Sequence, residues 1–268
     1  MPKKLKIGIV GCGAIGSSLA KVIARDLSRQ ARLAAVYDID RGKAERLAQR
    51  LAVDSLERLI DKCDLVIEAA SAKSSWKIAK CVLREGRDMM IMSVGGIVTH
   101  YKELLTLARR YNTSVYLPSG AISGVDALKA ANRGKIKKVI LTTRKNPLSF
   151  KGVRYLEDKG INIHKIKKDK VLFFGSAAEA VRHFPQNINV AAVLSIAGIG
   201  PERTQVKIIA SPSTKKNIHE IQIQAEAGRI FTRTENILHP DNPKTSFLAV
   251  LSAIATLKQI LEPVKIGT

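Results

Sequence analysis

Between Leu5 and Gly16 an apolar run containing Ile7, Ile9 and Val10 breaks into Gly11, Cys12, Gly13, Ala14, Ile15 and Gly16. This pattern predicts a buried strand, a tight turn and the start of a helix. Gly11 permits the turn, Gly13 lets the backbone approach a pyrophosphate, and Gly16 allows the helix to pack closely on the strand. The unpaired N–H groups of the helix N-terminus then face the phosphates. A second predicted strand, Leu33 to Tyr37, delivers Asp38 22 residues after Gly16, where a carboxylate accepts hydrogen bonds from an adenosine ribose. Residues Gly11, Cys12, Gly13, Ala14, Ile15, Gly16 and Asp38 are therefore expected to hold a dinucleotide. Asp38 favours NAD because its charge repels a 2′-phosphate, whereas Arg41 and Lys43 offer a phosphate clamp for NADP. The residues admit either cofactor, with NAD ahead.

Alternation of strand and helix continues as far as Ala121. Predicted strands at Leu65–Ala69, Asp88–Ser93 and Ser114–Leu117 each run into small residues: Ala70-Ser71-Ala72, Val94-Gly95-Gly96 and Pro118-Ser119-Gly120. In an open parallel sheet these carboxyl-end loops line one crevice, which brings Ala70 and Ser71 to the path of the cofactor. The fold class implied is α/β, a Rossmann-type doubly wound parallel sheet, followed by a second α+β domain. Its boundaries are expected at 1–121 and 122–240, with a C-terminal helix at 243–261 returning to the first domain.

The second domain reads less regularly. Val125 to Asn132 looks helical, and Ile136 to Thr143 reads as a strand with no clean face. Residues 149–170 are charged and irregular. A helix then begins at Ser176, which forms a capping box with Glu179, and an apolar helix runs from Asn187 to Ala197. Three strands, Thr204–Ala210, Asn217–Ala225 and Arg229–Thr234, are expected to form an antiparallel sheet before a last helix at Thr245–Ile260.

Within these strands a period of two puts Asn217, His219, Ile221 and Ile223 on one face and Glu220, Gln222 and Gln224 on the other. An imidazole held on a mainly apolar face stays neutral near pH 7 and exchanges protons readily. His219 is thus the first acid/base candidate, and His183, near Asn187 in sequence, is its rival. Asn187, at a helix entrance where partial positive charge favours a carboxylate, is a ligand candidate, and Asn189 shares that position. The histidines and the three cysteines lack the spacing of a metal site, so no metal is expected.

The formal charge of +22 is the compositional anomaly, and it is spread over both parts of the chain, +9 in residues 1–121 and +13 in 122–268. Its basic runs are short and lack interleaved aromatics, so a solvated face that steers anions is expected rather than a specific nucleic-acid partner. No signal peptide or membrane span is read, which implies a soluble cytoplasmic protein.

Four motifs taken together carry a resemblance. They are Gly8-Ile9-Val10-Gly11-Cys12-Gly13-Ala14-Ile15-Gly16, Pro118-Ser119-Gly120-Ala121-Ile122-Ser123-Gly124, Phe184-Pro185-Gln186-Asn187-Ile188-Asn189-Val190-Ala191-Ala192 and Asn217-Ile218-His219-Glu220-Ile221. Over essentially its full length the chain resembles the L-aspartate dehydrogenases, especially the archaeal members. The resemblance implies a homodimer that uses NAD or NADP to oxidise L-aspartate to iminoaspartate, which yields oxaloacetate and ammonia or feeds NAD biosynthesis. It also implies His219 as the catalytic acid/base and Asn187 as a contact to both nicotinamide and substrate. Backbone N–H groups around Ser119, Gly120, Ala121 and Ile122, with Asn187 and an unassigned lysine or arginine, are expected to receive the substrate carboxylates. One departure from the family stands at Ser211, where relatives carry aspartate, and it leaves open what orients His219. The alternatives are a homoserine dehydrogenase-like oxidoreductase and a non-catalytic NAD(H)-sensing or nucleic-acid-binding regulator.

Overall fold

The computed structural model describes residues 3–184, 188–240 and 242–267. The chain divides into two compact units, residues 1–118 with 250–266, and residues 119–249 with 267–268.

In the first unit the elements are β1 (Leu5–Val10), α1 (Ala14–Arg25), β2 (Ala31–Tyr37), α2 (Arg41–Ala48), α3 (Leu56–Asp61), β3 (Leu65–Glu68), α4 (Ala72–Arg84), β4 (Asp88–Ile91), α5 (Tyr101–Arg110) and β5 (Val115–Tyr116). The strands pair in the order β2-β1-β3-β4-β5, all parallel. Strand β1 is apolar because it lies mid-sheet: Ile7 and Ile9 are buried and pack with Leu19 and Ile23 of α1. Parallel strands covered on both faces need such continuous apolar runs. The doubly wound parallel sheet expected from the sequence is present.

The second unit contains α6 (Val125–Ala131), β6 (Ile136–Lys145), α7 (Arg154–Asp158), β7 (Lys170–Ser176), α8 (Ala177–His183), α9 (Asn189–Ala197), β8 (Gln205–Ala210), β9 (Asn217–Ala225), β10 (Gly228–Asn236), β11 (Leu238–His239) and β12 (Asn242–Ser246). The last helix, α10 (Phe247–Leu261), buries Ala253 and Leu257 in the core that holds Leu19 and Ile23.

The second sheet has the order β10-β9-β6-β8-β7 and is mixed rather than antiparallel. Strands β8 and β9 are consecutive in sequence, yet β6 lies between them, parallel to β8 and antiparallel to β9. Strand β6 does have a clean face. Val139, Leu141, Thr143 and Lys145 are buried, and the intervening Lys138, Ile140, Thr142 and Arg144 are not. The alternation looked blurred because hydroxyl and ammonium groups continue the buried face where apolar residues stop. The stretch 149–170 contains α7, the residues leading into the Ser176 helix form strand β7, and the capping box at Ser176 is formed in both directions.

One contact decides the geometry of the first turn. Gly11 has φ +98°, a left-handed conformation that favours glycine. A Cβ at Gly16 would fall well inside van der Waals contact with the Gly11 carbonyl oxygen. Gly16→Ala is therefore expected to force α1 off β1, at a cost of about 1–3 kcal/mol. Chemical denaturation should show a lower midpoint, and titration with NADH should show weakened binding.

Candidate active site

Each unit carries one cluster of polar side chains that its fold explains. In the first unit the glycine turn is held from two sides. Asp38, just past the end of β2, accepts from the Cys12 N–H through Oδ2 at 2.7 Å and from the Asp40 N–H through Oδ1 at 2.9 Å. Gly11 packs against the backbone of Ala69 and Ala70 so closely that a Cβ would stand 2.5 Å from the Ala69 carbonyl. The structure thus brings together Gly11, Cys12, Asp38 and Ala70. Ser71 precedes α4 and exchanges a hydrogen bond with Ser74 at 2.9 Å.

Gly13 behaves differently from its neighbours. A Cβ built there meets no atom within 4 Å, so nothing in the chain itself requires glycine at this position. Open space at the N-terminus of a helix that lacks a side-chain cap is what a pyrophosphate needs. Ala14 and Ile15 open that helix at partly exposed positions. Arg41 is not brought to this cluster: it pairs with Glu45 at 2.7 Å in α2 and is 77% exposed. Cys12 is buried, and desolvation together with the Asp38 charge pushes its thiol up to about 11, so it fills space as a neutral group.

Glu68 was not singled out by the sequence reading. It ends β3 fully buried and accepts from the Ala70 N–H (2.8 Å), the Ser75 hydroxyl (3.0 Å), the Ser93 N–H (3.0 Å) and the Ser93 hydroxyl (2.9 Å). Burial raises its pKa while these hydrogen bonds oppose the rise. One side chain therefore ties together the loops that follow β3 and β4. Its signal in the sequence is a lone carboxylate closing the apolar run Leu65-Val66-Ile67.

In the second unit His219 is paired in register with Thr143 of β6 and Thr234 of β10. Its Nδ1 lies 3.0 Å from the Thr143 hydroxyl, and the side chain is 3% exposed. Burial, and then the charge of Lys145, lower its pKa to about 3, so the imidazole is neutral. The loop that holds Ser119, Gly120, Ala121 and Ile122 comes to the same place. The Ala121 carbonyl accepts from the Thr234 hydroxyl and the Asn236 amide, both at 3.0 Å. Asn236 also donates to the Asn217 carbonyl at 3.2 Å, and Asn217 donates to the Ser246 hydroxyl at 3.1 Å.

Asn187 lies outside the described residues, and its neighbour Asn189 begins α9. Ser211 does not reach His219; its hydroxyl donates to Asp169 at 2.6 Å, and Asp169 in turn pairs with Arg144. The polar group at Nδ1 of His219 is the Thr143 hydroxyl on the paired strand. His183 packs against Tyr155, with ring centroids 4.4 Å apart and the planes tilted by 39°, within an aromatic cluster that includes Phe173. Among the described residues, no group of three or more His, Cys, Asp or Glu side chains is arranged to hold a metal ion. None of their helices is long and apolar enough to cross a membrane.

Comparison with known proteins joins the two clusters to one family. Residues 126–260 match the model of the aspartate dehydrogenase C-terminal domain, and residues 11–118 match the NAD-binding domain of homoserine dehydrogenase. L-aspartate dehydrogenase of Methanosarcina barkeri is 45% identical over 98% of this chain and 100% of its own length. The chain belongs to the L-aspartate dehydrogenase family. A further member, from Methanococcus maripaludis, is 44% identical over 98% of the chain and 100% of its own length. Among solved structures, aspartate dehydrogenase from Thermotoga maritima has the same fold, with a TM-score of 0.74 at 24% identity over 99% of this chain and 100% of that one. A homoserine dehydrogenase from Thiobacillus denitrificans reaches 0.63 at 15% identity over 97% and 73%.

A neutral buried histidine leaves a mark on stability. The unfolded chain protonates it near pH 6.5 and the folded chain only near pH 3, so between these values the unfolded state binds more protons. The stability tied to His219 is complete above about pH 6.5 and is lost as pH falls toward 3, by several kcal/mol at about 1.4 per pK unit. Thermal melting across this window should fall less steeply for His219→Gln than for the wild type.

Proposed function

We infer that this protein oxidises L-aspartate with NAD(P)+ to iminoaspartate, NAD(P)H and a proton, water then converting the imine to oxaloacetate and ammonia. The observation that carries the reading is full-length identity of 45% to archaeal L-aspartate dehydrogenases, joined to a buried neutral imidazole on a family-matched domain. Release of the imine as such would feed NAD biosynthesis.

The first cluster fits the dinucleotide. Gly11, Cys12, Gly13, Ala14, Ile15 and Gly16 would hold the pyrophosphate, Asp38 the adenosine ribose, and Ala70 and Ser71 the segment beyond. When bound, NAD(P)+ accepts the hydride from the substrate α-carbon. Asp38 stays clamped to the glycine turn, and Arg41 is spent on Glu45, which favours NAD. Asp38→Ser should therefore lower kcat/KM with NAD about tenfold or more and narrow the gap to NADP.

His219 is assigned as the acid/base. With Nδ1–H donating to Thr143, its Nε2 carries the lone pair and takes a proton from water adding to the imine carbon. The imidazolium so formed, still donating from Nδ1–H to Thr143, then returns the Nε2 proton to the departing ammonia. The same hydrogen bond at Nδ1 serves both steps, so the ring changes from base to acid without turning. Ser119, Gly120, Ala121 and Ile122 border this imidazole through Thr234, and they and Asn187 are proposed as substrate contacts. His219→Ala is expected to cut kcat on L-aspartate by at least about a hundredfold while NADH binding is kept. Normal turnover in that variant, or inert L-aspartate with both cofactors, rejects the assignment.

A homodimer in the cytoplasm is also proposed. The second sheet presents Phe174 on the edge strand β7 and Phe231 on the opposite edge strand β10, 59% and 60% exposed, and near Phe231 on β10 Arg233 pairs with Glu220 and Glu235. Exposed aromatics at the edges of a sheet, one of them next to paired charges, suit a self-complementary contact. The scattered basic surface suits anionic substrates better than a specific nucleic-acid partner.

A further inference from the structure

The chain has 45 lysines and arginines, and among the described residues Lys145 is the single buried one, 7% exposed. Its position follows from register. Strand β6 sends Leu141, Thr143 and Lys145 to the inner face; Leu141 pairs with Ile221 and Thr143 with His219. On the other side β8 places Val206, Ile208 and Ala210 beside the same three residues. The inner face is therefore a packed hydrocarbon layer that turns polar at one end, first a hydroxyl with an imidazole, then an ammonium beside a small alanine. Two other polar groups of this end, Asn217 and Asn236, donate to Ser246 and to the Ala121 and Asn217 carbonyls.

We propose that Lys145 is the cation that receives a carboxylate of the substrate beside His219. The proposal rests on the L-aspartate reading and supplies the lysine or arginine which that reading lacks. A buried ammonium is costly to a fold, and methionine would fill the same length without the desolvation penalty. The charge is close enough to act on the imidazole and, after burial, adds to the lowering of the His219 pKa. Burial also brings Lys145 itself down to about 8, so an arriving carboxylate would restore its proton affinity. A compact point charge suits one end of a small dicarboxylate, and its closeness to the imidazole places that end next to the acid/base.

Steady-state kinetics of Lys145→Met and Lys145→Arg, with succinate as a dicarboxylate competitor, test this. Lys145→Met should raise KM for L-aspartate and the inhibition constant of succinate by about tenfold or more. Its NADH affinity, read by fluorescence, should change less than about twofold, and Lys145→Arg should recover part of the loss. A folded Lys145→Met with wild-type KM and wild-type succinate inhibition overturns the proposal. So does a fall confined to kcat, which would mean that the charge acts only through His219. If Lys145→Met does not fold, wild-type calorimetry near pH 8 in two buffers of different ionisation enthalpy decides: proton uptake with succinate is expected, and its absence overturns the proposal. Failure of the wild type to oxidise L-aspartate would instead remove the functional reading, leaving the succinate titration to judge Lys145 separately.

Discussion

A single hydrogen bond between neighbouring strands, joining the Thr143 hydroxyl and Nδ1 of His219, fixes the imidazole of the second unit. An imidazole at 3% exposure has lost its hydration and must be neutral unless a charge of opposite sign faces it. The threonine hydroxyl is neutral and accepts from Nδ1–H in the neutral and in the protonated ring alike, so it holds the ring without fixing its charge. A carboxylate in the same place would stabilise the imidazolium and bias the ring toward one role. Ser211 serves a different contact, its hydroxyl donating to Asp169, which also accepts from Arg144.

The first unit solves a different problem, the placing of several loops at the carboxyl edge of a parallel sheet. Two carboxylates do this. Asp38 reaches the glycine turn from β2, and Glu68 gathers the loops after β3 and β4 with four hydrogen bonds. Their surroundings differ. Glu68 is sealed in, and burial raises its pKa, whereas Asp38 is only half-buried and close to solvent. The first acts as an internal tie, and the second is the carboxylate proposed to meet the adenosine ribose.

Much of this was legible in the chain because local patterns carried it. The turn at Gly11–Gly16, the parallel strands and the face of β9 that bears His219 all follow from spacing within about ten residues. What escaped were features that depend on partners far away in sequence. Strand β6 looked faceless until β9 and β8 were seen on either side of it, and the insertion of β6 between two consecutive strands has no local signature. Glu68, Thr143 and Lys145 share one cause of concealment: each is a polar residue at the end of a buried face, where periodicity alone reads it as the point at which the strand leaves the core.

The separation of Thr143 and His219, 76 positions along the chain, has a consequence for how the second unit comes into being. Local helices and the β9–β10 hairpin close only short loops, but docking β6 against β9 requires the intervening β7, α8, α9 and β8 to be threaded to the far side. Pairings of that span are entropically late events. A nascent chain therefore carries a solvated histidine with ordinary basicity, and the neutral, desolvated imidazole comes into existence only with the final closure of the sheet.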